Sequence, residues 1–478
     1  MKPCLIAAVS IAVLTMPSCA NAQAIDVFRT LDDVSATPAT PLLRDASCRA
    51  MPEDRPLELD EAILRAICAA PQARRAWAEA RVQAAALGVA DSAYLPTVNA
   101  TVGVEHDTLS TTYDYSAFDA GEIRRSQNTS SRYGMLTLNW VLFDFGKRDA
   151  ARRRASALLV VADAVQDEVL QSVILNAAQA FYALRNARAS LDAARRTESI
   201  AQESFVQASA KHAAGAGTLA DELQARTSYR RAMLDRVSAD GEVKVASGAL
   251  AVTMGLDANV PVRIDSPELT VEGQAELDAG VDQLIDEAKR RQPKLAAARA
   301  RLDAARANVD AARAQGRPTI ALIGSMTQNS PSYQQQSVPV TGSRGSTIGV
   351  QLTIPLFEGF ASGYRTGQAQ AQADAQEAAL HDAELQVSLE VWTSYQSLRA
   401  DAANLSNSRE LLADARRALD VARGRYKEGV GTFTELLNAQ TALADAQKQR
   451  VLAVSKWRSA RLKLVASLGK LDLSVSQK

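Results

Sequence analysis

The sequence predicts an α+β membrane protein in which short strands lead into exceptionally long helices, the whole arrangement occurring twice. Three observations carry this reading. Two stretches of the chain are free of helix breakers over unusual lengths, four segments alternate apolar and polar residues, and the chain matches itself at a shift of 214 positions.

The helices come first. Between Gly146 and Gly215 there is neither proline nor glycine, and from Tyr364 to Glu428 there is no proline and only Gly367 and Gly424. At 1.5 Å per residue either stretch runs roughly 100 Å as a helix. Leu170, Val173, Ile174, Ala177 and Phe181 recur at 3–4 spacing, and alanine is frequent, so neighbouring helices can approach closely. A helix of this length cannot bury its apolar stripe alone and needs helical neighbours.

The strands follow from period-2 alternation. Val98, Ala100, Val102 and Val104 oppose Thr97, Asn99, Thr101 and Glu105, and Leu136, Leu138, Trp140 and Leu142 oppose Thr137 and Asn139. Ile320, Leu322 and Met326 oppose Thr319, Ser325 and Thr327, and Ile348, Val350, Leu352, Ile354 and Leu356 oppose Thr347, Gln351 and Thr353. One apolar and one polar face over about ten residues is what a membrane barrel strand requires.

The repeat organises these parts. Leu138 falls on Leu352, Leu142-Phe143 on Leu356-Phe357, Gly215 on Gly429, Gly217-Thr218 on Gly431-Thr432 and Gly255 on Gly469, all 214 apart. Upstream the shift is 222, with Pro71 on Pro293 and Pro96-Thr97 on Pro318-Thr319. The difference lies in polar stretches, Thr108 to Arg132 and Asn329 to Arg344, which are expected to be exposed loops. The expected division is a signal peptide (1–24), an N-terminal periplasmic segment (25–56), a first repeat (57–260), a linker (261–280), a second repeat (281–471) and a tail (472–478).

The start of the chain reads as a secretory signal. Lys2 supplies the positive charge, Leu5 to Met16 an apolar core, and Ala22-Gln23-Ala24 a small-x-small cleavage site. A lipid-anchored Cys19 is the rival reading, although Met16-Pro17-Ser18 is a poor lead-in for one. Cys48 and Cys68 remain after cleavage, and in an oxidising periplasm they can form a disulfide or stay as two buried thiols. No later segment has 18 consecutive apolar residues, so entry into a membrane would need strands closed into a barrel.

The charge balance, 54 basic against 54 acidic residues, lacks the basic face a nucleic-acid partner would require. No Cys/His metal spacing, phosphate-binding loop or nucleophile elbow is present, so neither cofactor nor enzymatic activity is expected. His106, His212 and His381 are scattered and read as solvated side chains.

Four strands cannot close a barrel within one chain, and open sheet edges are not tolerated in lipid. Several chains must share one barrel, and three would supply twelve strands.

Three local patterns, in order and in duplicate, resemble the TolC family of outer-membrane efflux and secretion ducts. They are Ala90-Asp91-Ser92-Ala93-Tyr94-Leu95-Pro96-Thr97, then Trp140-Val141-Leu142-Phe143-Asp144-Phe145-Gly146 with its echo Ile354-Pro355-Leu356-Phe357-Glu358-Gly359-Phe360, then Tyr426-Lys427-Glu428-Gly429-Val430-Gly431-Thr432 leading into Glu435-Leu436-Leu437-Asn438-Ala439. The resemblance runs from about Leu57 to Leu471. It implies a homotrimer, a twelve-stranded outer-membrane β-barrel in contact with lipid, and a continuous periplasmic α-helical barrel. It also implies a periplasmic adaptor and an inner-membrane exporter, driven by ATP or protons, at the far end. Cys48 with Cys68, and Leu57-Glu58-Leu59-Asp60-Glu61-Ala62 running to Pro71-Gln72 and Ala76-Trp77, look similar to the branch serving type I secretion of the adenylate cyclase–haemolysin toxin (cyclolysin).

The breaks in the long helices are the most informative polar sites. Gly215 and Gly217, and likewise Gly429 and Gly431, form the turns; Thr218 and Thr432 then stand three residues before Asp221 and Glu435. This spacing predicts a capping box, threonine to backbone and acid reaching back. By position the resemblance makes Asp221, Glu435 and Tyr426 gate residues, with the acids ringing the periplasmic opening, where rings of acid favour cations. It also implies departures: Gly431 stands where a tip arginine would bond the neighbouring helix, Asn438 where a second ring aspartate would stand, and Ala220 replaces a hydroxyl residue. Fewer polar latches and a weaker cation preference are expected. Trp140, Phe143, Phe145, Phe357 and Phe360 read either as an interfacial aromatic belt or as packing where strand turns into helix.

The function so expected is a passive outer-membrane channel of a tripartite system, exporting a toxin by type I secretion. A multidrug efflux duct and a periplasmic coiled-coil adaptor that never enters the membrane are the alternatives. The adaptor reading leaves the four duplicated strands without a role.

Overall fold

The computed structural model describes residues 26–34, 55–118, 121–265, 280–330 and 342–471. Each repeat opens with a short helix, α1 (Leu59–Ala69) or α5 (Val281–Arg291), followed by α2 (Pro71–Ser92) or α6 (Pro293–Gln315). Proline starts both second helices because the first helical N–H needs no partner. The residues before them, Ala70 and Gln292, are extended, as the proline ring demands. A Glu58–Glu61 capping box starts α1.

Two antiparallel hairpins follow: β1 (Thr97–Asp114) with β2 (Glu122–Phe143), and β3 (Thr319–Ser330) with β4 (Ser343–Thr353). They join into one four-stranded sheet in chain order. Its register lines up the apolar faces: Val98 pairs with Leu138, Leu138 with Gly324 and Gly324 with Ile348, while Trp140 pairs with Leu322 and Leu322 with Val350. The opposite face carries Asn99, Thr137, Ser325 and Thr347 across the same four strands. Among the described residues, β1 and β4 are the edges of the sheet.

The polar stretch Thr108 to Arg132, expected as a loop, is mostly strand. β1 and β2 stay paired from Thr97↔Asn139 up to Asp114↔Glu122, well beyond the shorter β3–β4 ladder. Polar composition misled because the ladder satisfies the backbone, and Thr108, Thr111 and Thr112 are β-branched and favour strand. In the second copy, residues 331–341 of the expected loop lie outside the described residues.

Each sheet half turns sharply into a long helix, α3 (Lys147–Ala213) or α7 (Ala361–Lys427), 67 residues apiece. Two consecutive left-handed residues make each turn: Phe145 (φ 53°) and Gly146 (92°), then Gly359 (60°) and Phe360 (65°). Arg148 clamps the first turn. It bonds Asp144 at 2.9 Å and the carbonyls of Val141 (2.6 Å) and Leu142 (3.2 Å), and lies 4.8 Å above the Tyr94 ring.

The chain returns through α4 (Leu219–Thr253) and α8 (Phe433–Ser467). Near the strands the helices lie in the order α2–α3–α6–α7, and toward the far end α4–α3–α8–α7. α1 packs Ile63, Ala66 and Ile67 onto Leu170, Val173, Ile174 and Ala177 of α3; Leu284, Ala288 and Leu295 meet Val387, Val391 and Leu398 of α7 in the same way. Cys68 is disulfide-bonded, while Cys48, its expected partner, lies outside the described residues, as does most of the expected linker. Among the described residues no helix is long and apolar enough to cross a membrane.

Candidate functional site at the helix tips

The two tips are built alike. α3 ends at Ala213 and α7 at Lys427, each followed by a glycine in the left-handed region, Gly215 (φ 71°) or Gly429 (75°). The chain then turns back tightly. A side chain on Gly217 would crowd Lys211 Cβ at 3.1 Å, and one on Gly431 would meet Arg425 Cβ at 2.9 Å. The glycine that stands where the resemblance implies an arginine is therefore part of this turn. Thr218 and Thr432 cap α4 and α8, their hydroxyls accepting from the N–H of Asp221 (3.1 Å) and of Glu435 (3.2 Å).

The second half of the expected capping box does not form at either tip among the described residues. Glu435 turns instead toward the Arg425 guanidinium, 3.7 Å away. A guanidinium is a stronger partner for an exposed carboxylate than a neutral backbone N–H. Glu435 and Asn438 are exposed and Asp221 half-buried, all within the first two turns of their helices.

Tyr426 is buried, its ring edge-on to Phe433 at 5.7 Å. Burial, then the Asp221 charge, raise its pKa above the ordinary phenol value. Lys211, from the other tip, donates to the Tyr426 carbonyl at 2.8 Å and places Nζ 4.0 Å from the centre of its ring. Below this contact, Arg423 pairs with Glu203 and Gln440 donates to Ser204, so the two hairpins are tied side by side.

His212, expected as a solvated side chain, is partly exposed and also has a partner. Its Nδ1 lies 2.7 Å from the carboxylate of Glu222, which is buried and also accepts from Arg226 at 2.6 Å. The His212 bond and then Arg226 hold the Glu222 carboxyl below the usual glutamate range, against the opposing effect of burial. Neither Glu222 nor Lys211 was expected from sequence, because their partners lie ten residues away across a turn or more than 200 residues along the chain.

At the opposite end of the long helices, Phe143 and Phe145 stand edge-on at 4.7 Å and Phe357 and Phe360 at 5.5 Å. All four rings are exposed, and Trp140 donates to the Tyr94 carbonyl at 2.9 Å. No group of His, Cys, Asp and Glu among the described residues could hold a metal ion.

Residues 62–256 and 284–470 match the family described as outer membrane efflux protein, one match on each side of the linker. The chain belongs to the outer membrane efflux protein family. Protein CyaE of Bordetella pertussis is 34% identical over 425 residues, covering 88% of this chain and 86% of CyaE. Outer membrane protein TolC of Escherichia coli is 23% identical over 378 residues, 76% of this chain and 73% of TolC. The crystal structure of VceC from Vibrio cholerae superposes with a TM-score of 0.74 at 19% identity, covering 86% of this chain and 96% of VceC. The outer-membrane channel OprN gives 0.76 at 21% identity, covering 86% and 90%. As a TolC-family member this chain is an outer-membrane channel protein that extends into the periplasm.

Proposed function

We propose that three copies of this chain form a passive, gated export duct, and that its cargo is a protein delivered by type I secretion. The observation that carries the assembly is that the chain is unfinished at both of its edges. Among the described residues β1 and β4 each have a strand on one side only, and the exposed Val102, Ile348 and Val350 leave the apolar sheet face open. In lipid those edges require sister strands. Three copies, the number the TolC resemblance implies, give twelve strands.

The helical wall is unfinished in the same way. Val451 on α8, a helix that packs against α3, is 7% exposed, while its repeat counterpart Val237 on α4 is 55% exposed. A neighbouring copy's α7, the counterpart of α3, would cover Val237. The exposed Phe143, Phe145, Phe357 and Phe360 would then ring the barrel's periplasmic rim as an aromatic belt.

Asp221 and Glu435 would place six carboxylates around the far opening, which Tyr426 and the tip turns would keep closed until an adaptor and an inner-membrane exporter engage it. Toxin secretion is favoured over drug efflux by the sequence resemblance to the cyclolysin branch. The identity to CyaE, 34%, also exceeds the 24% to the toluene efflux pump outer membrane protein TtgF of Pseudomonas putida. Deleting the gene tests the cargo: secretion of the toxin is expected to stop with drug sensitivity unchanged. Drug sensitivity that rises while secretion continues would assign the duct to efflux.

A further inference from the structure

The register that aligns the apolar residues of the sheet also sorts its charges. Going away from the helices, the apolar face ends in two rows of paired residues, Val102–Gly134–Gln328–Arg344 and then Val104–Arg132–Ser330. Arg132 and Arg344 are exposed, and among the described residues neither forms an ion pair. Glu105 and Asp107 alternate onto the opposite face. Among the described residues, acids recur on the apolar face only at Asp114 and Glu122, the last pair of the long hairpin. Arg124, two residues from Glu122, has an acid at hand on that face; the rows beside Arg132 and Arg344 hold none.

Arg132 stands eight residues before Trp140, and Arg344 eight before Leu352. That is about 27 Å along the strand, or about 20 Å of height at a barrel tilt of roughly 40°. An arginine at such a boundary lays its aliphatic stem on the apolar face and lifts its guanidinium into the polar layer. The surface between the two is bare: a Cβ on Gly134 would meet nothing within 4 Å, and Gln328 is exposed. The helix end of the same sheet is built differently. There the exposed rings of Trp140 and Phe143 take the boundary, and the nearby Arg148 is paired with Asp144.

We propose that Arg132 and Arg344, with Gln328 beside them, bind the phosphate groups of the anionic glycolipid in the outer leaflet. The helices extend into the periplasm, so the end of the sheet away from them lies at that leaflet. A guanidinium presents a planar fork of donors that matches phosphate bidentately. The place of the two arginines selects a lipid over a dissolved anion. They stand where the apolar face ends, so the acyl chains of a bound lipid lie against Val102, Ile348 and Val350 while its phosphates meet the guanidinium groups. The bound lipid then fixes the depth of the barrel at its outer rim, as the aromatic rings do at its inner one. This inference rests on the duct proposed above in taking the apolar face as the barrel's exterior.

The test is native mass spectrometry of the full-length protein, purified from outer membranes in mild detergent, stripped of lipid and titrated with lipid A. Wild type is expected to bind lipid A carrying both phosphates about tenfold or more tighter than its dephosphorylated form. Arg132→Gln with Arg344→Gln is expected to reduce the first affinity to the second. The pair Arg132→Lys and Arg344→Lys, which keeps the charge and loses the fork, is expected to fall between. Arg125→Gln, on the opposite face of β2, is expected to change nothing. Equal binding of the two lipids by wild type, or of the phosphorylated lipid by wild type and the double glutamine variant, overturns the site. Displacement of the lipid by an equal concentration of inorganic phosphate also overturns it, by marking a site for a dissolved anion. A protein that is monomeric before heating overturns the duct instead.

Discussion

At the scale of single residues, the tips depend on backbone conformations that only some side chains tolerate. Gly429→Ala forces a Cβ into the left-handed region and is expected to cost about 1–2 kcal/mol. Gly424→Ala, inside α7 with open space where the Cβ would stand, is expected to gain about 0.5–1 kcal/mol. Its repeat counterpart is already an alanine, Ala210. Opposite shifts in the thermal melt of helical circular dichroism check this pair. Glu222 adds a pH dependence. Its carboxyl pKa is depressed in the fold, so its contribution is complete above the unfolded value of about 4.3 and disappears as pH falls through the folded value. Glu222→Gln is therefore expected to flatten the acid limb of the stability profile, measured by melting between neutral pH and pH 3. The glycines and capping threonines were legible in the sequence because their chemistry is local. The Glu222–His212 and Lys211–Tyr426 contacts were not, because only the packed tips bring those residues together.

At the scale of elements, alternation and the absence of breakers were enough to place four strands and two 67-residue helices. The upper halves of β1 and β2 were misread because their face ceases to be apolar while their pairing continues. A ladder satisfies the backbone whatever the side chains are, so hydropathy reports where the apolar face ends rather than where the strand ends. The face assignment is open to test in β4. Val350→Arg places a cation on the apolar face and is expected to cost about 2–4 kcal/mol near the bilayer middle, and less toward its rims. Thr347→Arg, on the opposite face of the same strand, is expected to be tolerated. The yield of heat-modifiable protein in outer membranes separates the two.

At the scale of the whole molecule, one chain leaves open strand edges and exposed apolar residues along its helices. The duplication was visible in sequence and implies that each open edge matches a filled one elsewhere in the chain, as Val237 matches Val451. The number of copies was not legible, since an edge states that a neighbour is needed and not how many complete the ring. With Asn438 rather than an acid beside Glu435, the pore is expected to prefer cations less strongly than a TolC-family member carrying a second acidic ring, as reversal potentials under a salt gradient will show. Asp221→Asn with Glu435→Gln is expected to abolish what preference remains. The most direct test of the central claim is the mass of the detergent-solubilised particle, with bound detergent accounted for. Three chains per particle, dissociating on heating and showing strand as well as helix by circular dichroism, is the expected result; a single chain that stays soluble without detergent would contradict the account.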